Sequence, residues 1–287
     1  MLASSYPRYP GDPNGVIVGL LARELVRRGH EVHVVAPWDM ALAAHDEGGV
    51  QVHRFRYAPR DDWHLAGHGR SLEADVRMKR LVPLLMPGYV LIALGKLLAL
   101  HRRVRFDVLH AHWAIPGGVI GMIAARLTGL PLLITPHGSD IYVAEHSRLW
   151  GGAARMALRA AWRVAPVSED LRRRAVALGL DEARSLAIPP GPEAGRFALR
   201  DGAAWRARLG VAPEAPVIGA LGRLVYKKGF DRLIAAAGFS AIEIPYEPVW
   251  QFGGRSGVPM NRYCVNTKYG DAAGYLAQLR ASGIDRV

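Results

Sequence analysis

The strongest constraint in this sequence is a repeated alternation of short, continuous apolar runs with longer helix-patterned segments, punctuated by loops rich in glycine and proline. Residues 2–5 form the stub of a first strand, and a loop of Pro10, Gly11, Asp12, Pro13, Asn14 and Gly15 follows it. A helix is expected over residues 16–28, with Asn14 near its cap and Gly29 as its stop. Further strands are expected at 31–36, 107–111, 131–135, 163–167 and 185–188. The helices between them run from Gly117 and Gly118 to Gly129, over 149–162, and from a Ser168 cap to about residue 178. The strand runs are apolar throughout rather than alternating, so both faces of the sheet need cover. That pattern specifies an α/β chain with a parallel, doubly wound sheet. Ligands of such sheets bind at the carboxyl ends of the strands. The loops at 11–15, 112–118 and 137–140 lie at such ends and are expected to converge.

A second unit of the same kind begins at Val211, with a strand at 216–221, a loop at 222–228 and a helix at 229–237. The pattern then decays. Pro245, Pro248, Gly253, Gly254, Gly257 and Pro259 interrupt scattered aromatic residues, and helical patterning returns only at 272–281. The organisation read from this is a first domain over 1–192, a linker over 193–210, the start of a second domain over 211–238, and an unassigned tail over 239–287.

Composition narrows the partners. Half of the 287 residues are hydrophobic, which is a globular composition. The formal net charge of +12 favours anionic partners: phosphates, acidic lipid or nucleic acid. Nucleic acid ranks last, because no basic, aromatic-interleaved sheet motif is present. The single cysteine, Cys264, excludes an internal disulfide and a Cys-based zinc site, so a cytoplasmic setting is expected. Residues 1–10 lack the basic and apolar regions of a signal peptide. The most apolar window, 81–100, is interrupted by Pro83, Pro87, Gly88, Gly95 and Lys96 and is a poor membrane span. Its basic flanks, among them Arg80, Arg102, Arg103 and Arg105, suit a surface lying on anionic lipid; an ordinary core helix with solvated ends fits equally well.

Three constellations carry potential chemistry. Gly222, Arg223 and Leu224, with Lys228 and Gly229, leave a strand and open a helix, an arrangement of fork, point charge and free amides that suits a diphosphate. The alternative is a solvated basic turn. Thr135, Pro136, His137, Gly138, Ser139 and Asp140 end a strand; His137 can orient a sugar hydroxyl, and Asp140 can accept from hydroxyls. The alternative is a histidine satisfied by a carbonyl in a tight turn. His110 and His112 share one strand face ahead of Trp113. With His137 they offer either a metal cluster or, more simply, a strand-end pocket lined by His112 and Trp113.

These residues also carry a family resemblance. Ser5, Tyr6 and Pro7 with Pro10, Gly11 and Asp12; Arg27 to Val32; Asp107 to His112; and His137, Gly138, Ser139 and Asp140 occur in order. Val167, Ser168 and Glu169, then Ile188, Pro189, Pro190 and Gly191, then Gly222, Arg223 and Leu224 with Lys228 and Gly229, follow. The set resembles the family 4 glycosyltransferases of the GT-B fold, over about residues 2–237. The resemblance implies two Rossmann-like domains and sugar transfer from a nucleotide sugar to a glycan or lipid-linked acceptor, with retention of configuration. It implies His137 near the reacting carbon, Arg223 and Lys228 on the donor diphosphate, and the 11–15 loop near both, with Gly15 toward the diphosphate and Gly11 toward the acceptor; His112 and Asp140, read from their strand-end positions, are expected on the acceptor side with it. It implies no metal and no cofactor beyond the nucleotide-sugar substrate, and a cytoplasmic protein, peripheral on the inner membrane face where acceptors are lipid-linked. The family's Glu-x7-Glu segment has no counterpart after Ala237, and Pro190 replaces the usual Asn before the glycine. The expectation is therefore a truncated or replaced donor domain. Two alternatives follow: a catalytically inactive glycosyltransferase remnant, or a basic peripheral membrane-binding protein.

Overall fold

The computed structural model describes residues 1–68, 72–73, 77–78, 81–191, 202–210, 212–215 and 232–233. The chain divides into two compact units, one of Met1–Glu73 with Met78–Glu193 and one of Ala74–Arg77 with Ala194–Val287. The first unit carries α1 (Val16–Arg27), β1 (His33–Pro37) and β2 (Gln51–Phe55), then the two-residue strand β3 (Leu72–Glu73). Past the short strand β4 (Arg77–Met78), α2 (Leu81–Val104), β5 (Leu109–His112), α3 (Val119–Thr128) and β6 (Leu132–Thr135) follow. The helices α4 (Ser139–Glu145) and α5 (Arg148–Ala160), the strand β7 (Arg163–Val164) and the helix α6 (Glu169–Ala177) complete it. In the second unit, α7 (Ala203–Leu209) is described. The strand expected at 216–221, the loop with Arg223 and Lys228, and the tail over 239–287 lie outside the described residues.

The sheet is parallel, as the apolar runs required. β1 pairs with β2, and β5 pairs with β6, which pairs with β7. Residues 1–3 join the two halves. Leu2 bridges Val35 on one side and Ala111 on the other, both in parallel. Its N–H donates to the His110 carbonyl at 2.8 Å and its carbonyl accepts from His112 N–H at 2.8 Å. On the far side Ala3 N–H donates to the Val35 carbonyl at 3.0 Å. The chain therefore leaves its first strand in one direction to reach β1 and later returns on the other side at β5. The gap between the first strand and β5 is the topological switch point, where open α/β sheets bind ligands.

Successive strand residues point to opposite faces, and the core divides accordingly. Ala3, Val34 and Ala36 pack with Val18 and Ala22 of α1 on one face. Leu2, Val35, Ala111 and Ile134 pack with α2, α3 and α5 on the other. Ser147 and Ser168 cap α5 and α6 by accepting from Trp150 N–H at 3.4 Å and Leu171 N–H at 3.2 Å.

Three sequence expectations change. The strand expected at 185–188 is reduced to a single parallel bridge between Val164 and Ser185. The loop after β6 becomes helical at Ser139, giving α4. The window at 81–100 is one uninterrupted helix that continues to Val104. Pro83 falls in the first turn, where its missing N–H would be unpaired in any case, and Pro87 forfeits a single backbone bond. By length and composition alone α2 is long and apolar enough to cross a membrane. One stripe of it, Val82, Tyr89, Ala93 and Leu97, is nevertheless buried in the core.

Gly15 forms the N-cap of α1 with φ of 75°. A Cβ there would fall inside the contact distance of the Tyr6 backbone, whereas Gly11, at φ 78°, has open space around it. Both positions penalise an L-residue, and only Gly15 adds a collision with main chain that cannot yield. Gly11→Ala is expected to lower unfolding stability by about 1 kcal/mol and Gly15→Ala by about 3 kcal/mol, measured by urea denaturation. Equal losses would contradict the packing drawn here.

Candidate functional site

Two neighbouring loops build the site beside the switch point, those leaving β5 and β6. The β5 loop opens with Trp113, a bulky residue at φ 66° and ψ 131°. Backbone of this kind persists only when its surroundings over-determine it. Here Trp113 N–H donates to the Thr135 carbonyl at 2.9 Å, and the Trp113 carbonyl accepts from Gly118 N–H at 2.8 Å. Gly117 has no room for a side chain, because a Cβ would collide with the His112 carbonyl.

Asp140 ties the two loops together. It is 3% exposed. One carboxylate oxygen accepts from Ala114 N–H at 2.6 Å, and the other accepts from His137 N–H at 3.1 Å and Gly138 N–H at 2.9 Å. Burial pushes its carboxyl up from the ordinary value, and the bonds from Ala114, Gly138, Ile141 and His137 oppose that. A carboxylate so engaged organises the backbone of both loops.

The imidazoles form a row. His110 Nε2 lies 2.8 Å from Thr135 Oγ1, and His112 Nδ1 lies 3.0 Å from His137 Nε2. The His110 and His112 rings are 4.2 Å apart, and the Trp113 ring packs on His137 at 4.4 Å. Burial is the largest cause of lowered pKa values in all three, to about 3 at His110, well below 6.5 at His112 and to about 4 at His137. His112 is 1% exposed and supports His137 from beneath. His137 is half-buried and ends the row. Among the described residues, no group of three or more His, Cys, Asp or Glu side chains is placed to hold a metal ion. His112 and His137 bond to each other instead.

The loop between residue 3 and α1 is stiffened by a buried ion pair that sequence reasoning missed. Arg8 donates through Nε and Nη2 to both oxygens of Asp12, at 2.6 Å and 3.0 Å, and through Nη1 to Asp39 at 3.3 Å. Asp12 also accepts from the backbone N–H of Asn14 at 3.0 Å. Burial raises the Asp12 carboxyl, but Arg8 and Asn14 outweigh it and hold it below the usual range. The available signal was an arginine four residues before an aspartate inside a turn-rich segment. Gly11 and Gly15 lie in this loop. The structure thus brings His112, His137 and Asp140 together, sets Gly11 and Gly15 on the loop after the first strand, and leaves Arg223 and Lys228 outside the described residues.

The neutral histidine row makes stability depend on pH. The unfolded chain takes up protons at these side chains as pH falls through 6.5, whereas the folded site resists until about 4 at His137 and about 3 at His110. Their contribution is complete above 6.5 and is lost as pH falls toward 4 and below. Each buried imidazole adds up to about 1.4 kcal/mol of stability loss per pH unit in that window. Urea unfolding at pH 7, 6 and 5 is expected to show this slope, reduced by about one proton in His110→Asn; an unchanged slope would mean His110 titrates freely in the fold.

Comparison with known proteins agrees with this architecture. The model of Glycosyltransferase Family 4 matches residues 15–196. A D-inositol 3-phosphate glycosyltransferase of Geodermatophilus obscurus is 31% identical over 148 residues, covering 48% of this chain and 33% of that protein. A putative teichuronic acid biosynthesis glycosyltransferase, TuaC, of Bacillus subtilis is 26% identical over 254 residues, covering 82% of this chain and 60% of that protein. The chain thus spans less than two thirds of the length of these curated relatives. The crystal structure of Anabaena Alr3699/HepE in complex with UDP superposes with a TM-score of 0.57 at 18% identity, covering 99% of this chain and 66% of that one. The fold is the Rossmann-like α/β architecture of GT-B proteins, and the family match covers well over half of the sequence. The chain belongs to Glycosyltransferase Family 4.

Proposed function

We propose that this chain acts in the transfer of a sugar from a nucleotide-sugar donor to a glycan or lipid-linked acceptor, with retention of configuration. The observation that carries the reading is the half-buried His137 at the end of β6, beside the topological switch point, in a chain of this family. The UDP held by the similar solved structure supports a uridine diphosphate donor. In this reading the bond between the anomeric carbon and the diphosphate breaks, and the acceptor hydroxyl attacks from the same face, passing its proton to an oxygen of the departing diphosphate. The leaving diphosphate gathers negative charge. Arg223 and Lys228 are assigned to meet it, as the family resemblance implies. His137 is assigned to the sugar near the reacting carbon, and Gly11 to the acceptor side. No step in this scheme calls on a metal ion.

The acceptor side has a second supporting observation in α2. Leu84 and Leu91 are 76% and 68% exposed. They fall on one stripe with Ala99 and Arg102, both exposed, opposite the buried stripe of Tyr89, Ala93 and Leu97. An apolar stripe ending in Arg102, Arg103 and Arg105 suits an anionic membrane surface and a cytoplasmic, membrane-peripheral location. The same stripe is what favours the alternative reading of a basic membrane-binding protein without chemistry.

Transfer is tested by incubating the chain with UDP-glucose and related nucleotide sugars and following release of the nucleoside diphosphate. The expected outcome is turnover with at least one donor, lowered about 100-fold in His137→Ala. A thermal shift with UDP that is lost in Arg223→Ala with Lys228→Ala would support the diphosphate assignment. Absence of both turnover and nucleotide binding would favour the inactive remnant. For the membrane reading, Leu84→Glu with Leu91→Glu is expected to weaken sedimentation with phosphatidylglycerol vesicles while leaving UDP binding intact. Unchanged sedimentation would remove α2 from that role.

A further inference from the structure

We propose that His112 is a positioning residue that holds His137 in its Nδ1–H tautomer, so that His137 meets a sugar ligand as a neutral hydrogen-bond donor. This rests on the reading of His137 as the ligand-facing group. Proton accounting within the pair decides the tautomer. His112 Nδ1 and His137 Nε2 are 3.0 Å apart, and one of the two must carry the shared proton. His112 is fully enclosed, and its other nitrogen, Nε2, is buried with no hydrogen-bond partner among the described residues.

Two arrangements are possible for a neutral pair. If His137 Nε2 carried the proton, His112 Nδ1 would be bare, and His112 would hold its own proton on Nε2. That would bury an N–H donor with no acceptor. If His112 Nδ1 carries the proton, the buried Nε2 is only a lone pair without a donor. Orphaned buried N–H groups are the rarer and costlier case. The second arrangement is therefore the stable one. His137 Nε2 accepts, and the single proton of a neutral His137 sits on Nδ1.

The surroundings hold both parts of this arrangement. Burial keeps both imidazoles in the neutral form at pH 7, because it penalises the charged state of each. Trp113, held at φ 66°, packs on the His137 ring at 4.4 Å, so the ring plane is fixed from a second side. His137 Nδ1 makes no hydrogen bond among the described residues, so its proton is available to a ligand. A donor of this kind orients a hydroxyl or steadies a developing negative charge on oxygen. It does not take a proton from the acceptor. The proposal thus excludes His137 as general base and assigns His112, a residue with no access to substrate, a share in the rate.

The test uses the full chain labelled with 15N-histidine and long-range 1H–15N correlation spectra at pH 7.5, with His137 assigned by its loss in His137→Asn. The expected spectrum shows His137 with a protonated Nδ1 and a bare Nε2. In His112→Asn the side-chain amide can replace the Nδ1–H donor, and the tautomer should persist. In His112→Leu the donor is gone, and His137 should shift toward the Nε2–H form. A wild-type His137 protonated at Nε2, or a tautomer unmoved in folded His112→Leu, would overturn the proposal. Should His112→Leu fail to fold, the wild-type and His112→Asn spectra decide alone. With a nucleotide-sugar donor, kcat should fall on the order of tenfold in His112→Leu at unchanged donor KM and recover in His112→Asn. If the wild type turns over no donor, the proposed function fails, and the tautomer stands or falls on the spectra.

Discussion

The backbone pairing of residues 1–3 with both halves of the sheet is the interaction on which everything else depends. Leu2 exchanges bonds with His110 and His112, while Ala3 and Met1 exchange bonds with Val35. Each such bond contributes only about 1 kcal/mol net. Their position matters more than their sum, because nothing else in the described sheet pairs β1 with β5. This short strand sets the register of His110 and His112 and makes the switch point beside it. Remove it, and β5 loses the neighbour that aims His112 upward to His137.

Above that strand, the site is built by using polar groups on the protein itself. Asp140 is a buried carboxylate given wholly to backbone amides, and Arg8 is a buried guanidinium shared between Asp12 and Asp39. Buried charge is costly unless paired in this way. The result is two stiff loops, one carrying His137 and the other carrying Gly11 and Gly15. Stiff loops hold a ligand-facing group in place before the ligand arrives, which is what preorganised electrostatic catalysis requires.

Much of this is legible in the sequence, for physical reasons that differ by element. The buried parallel strands are visible because residues such as Leu132, Leu133 and Ile134 leave no polar alternation. β2 is not, because Val52, His53, Arg54 and Phe55 mix polar and apolar side chains, as a strand at one end of the sheet can do. α4 is hidden by its start in Gly138 and Ser139, which read as a loop. The continuity of α2 through Pro87 is hidden because a sequence does not show that only one bond is forfeited. The positions of His112, His137 and Asp140 follow from their motifs, but the division of labour among them does not. Whether a carboxylate faces solvent or backbone amides is decided by loop geometry that no spacing records.

The most direct test of the site drawn here is amide hydrogen exchange, read by mass spectrometry, on the full chain with and without a UDP-sugar. Slowed exchange is predicted in the two strand-end loops, at residues 112–118 and 137–140, and at the start of α1 beside Gly15. Protection confined to other parts of the first unit, with those segments unchanged while the nucleotide sugar is bound, would contradict it.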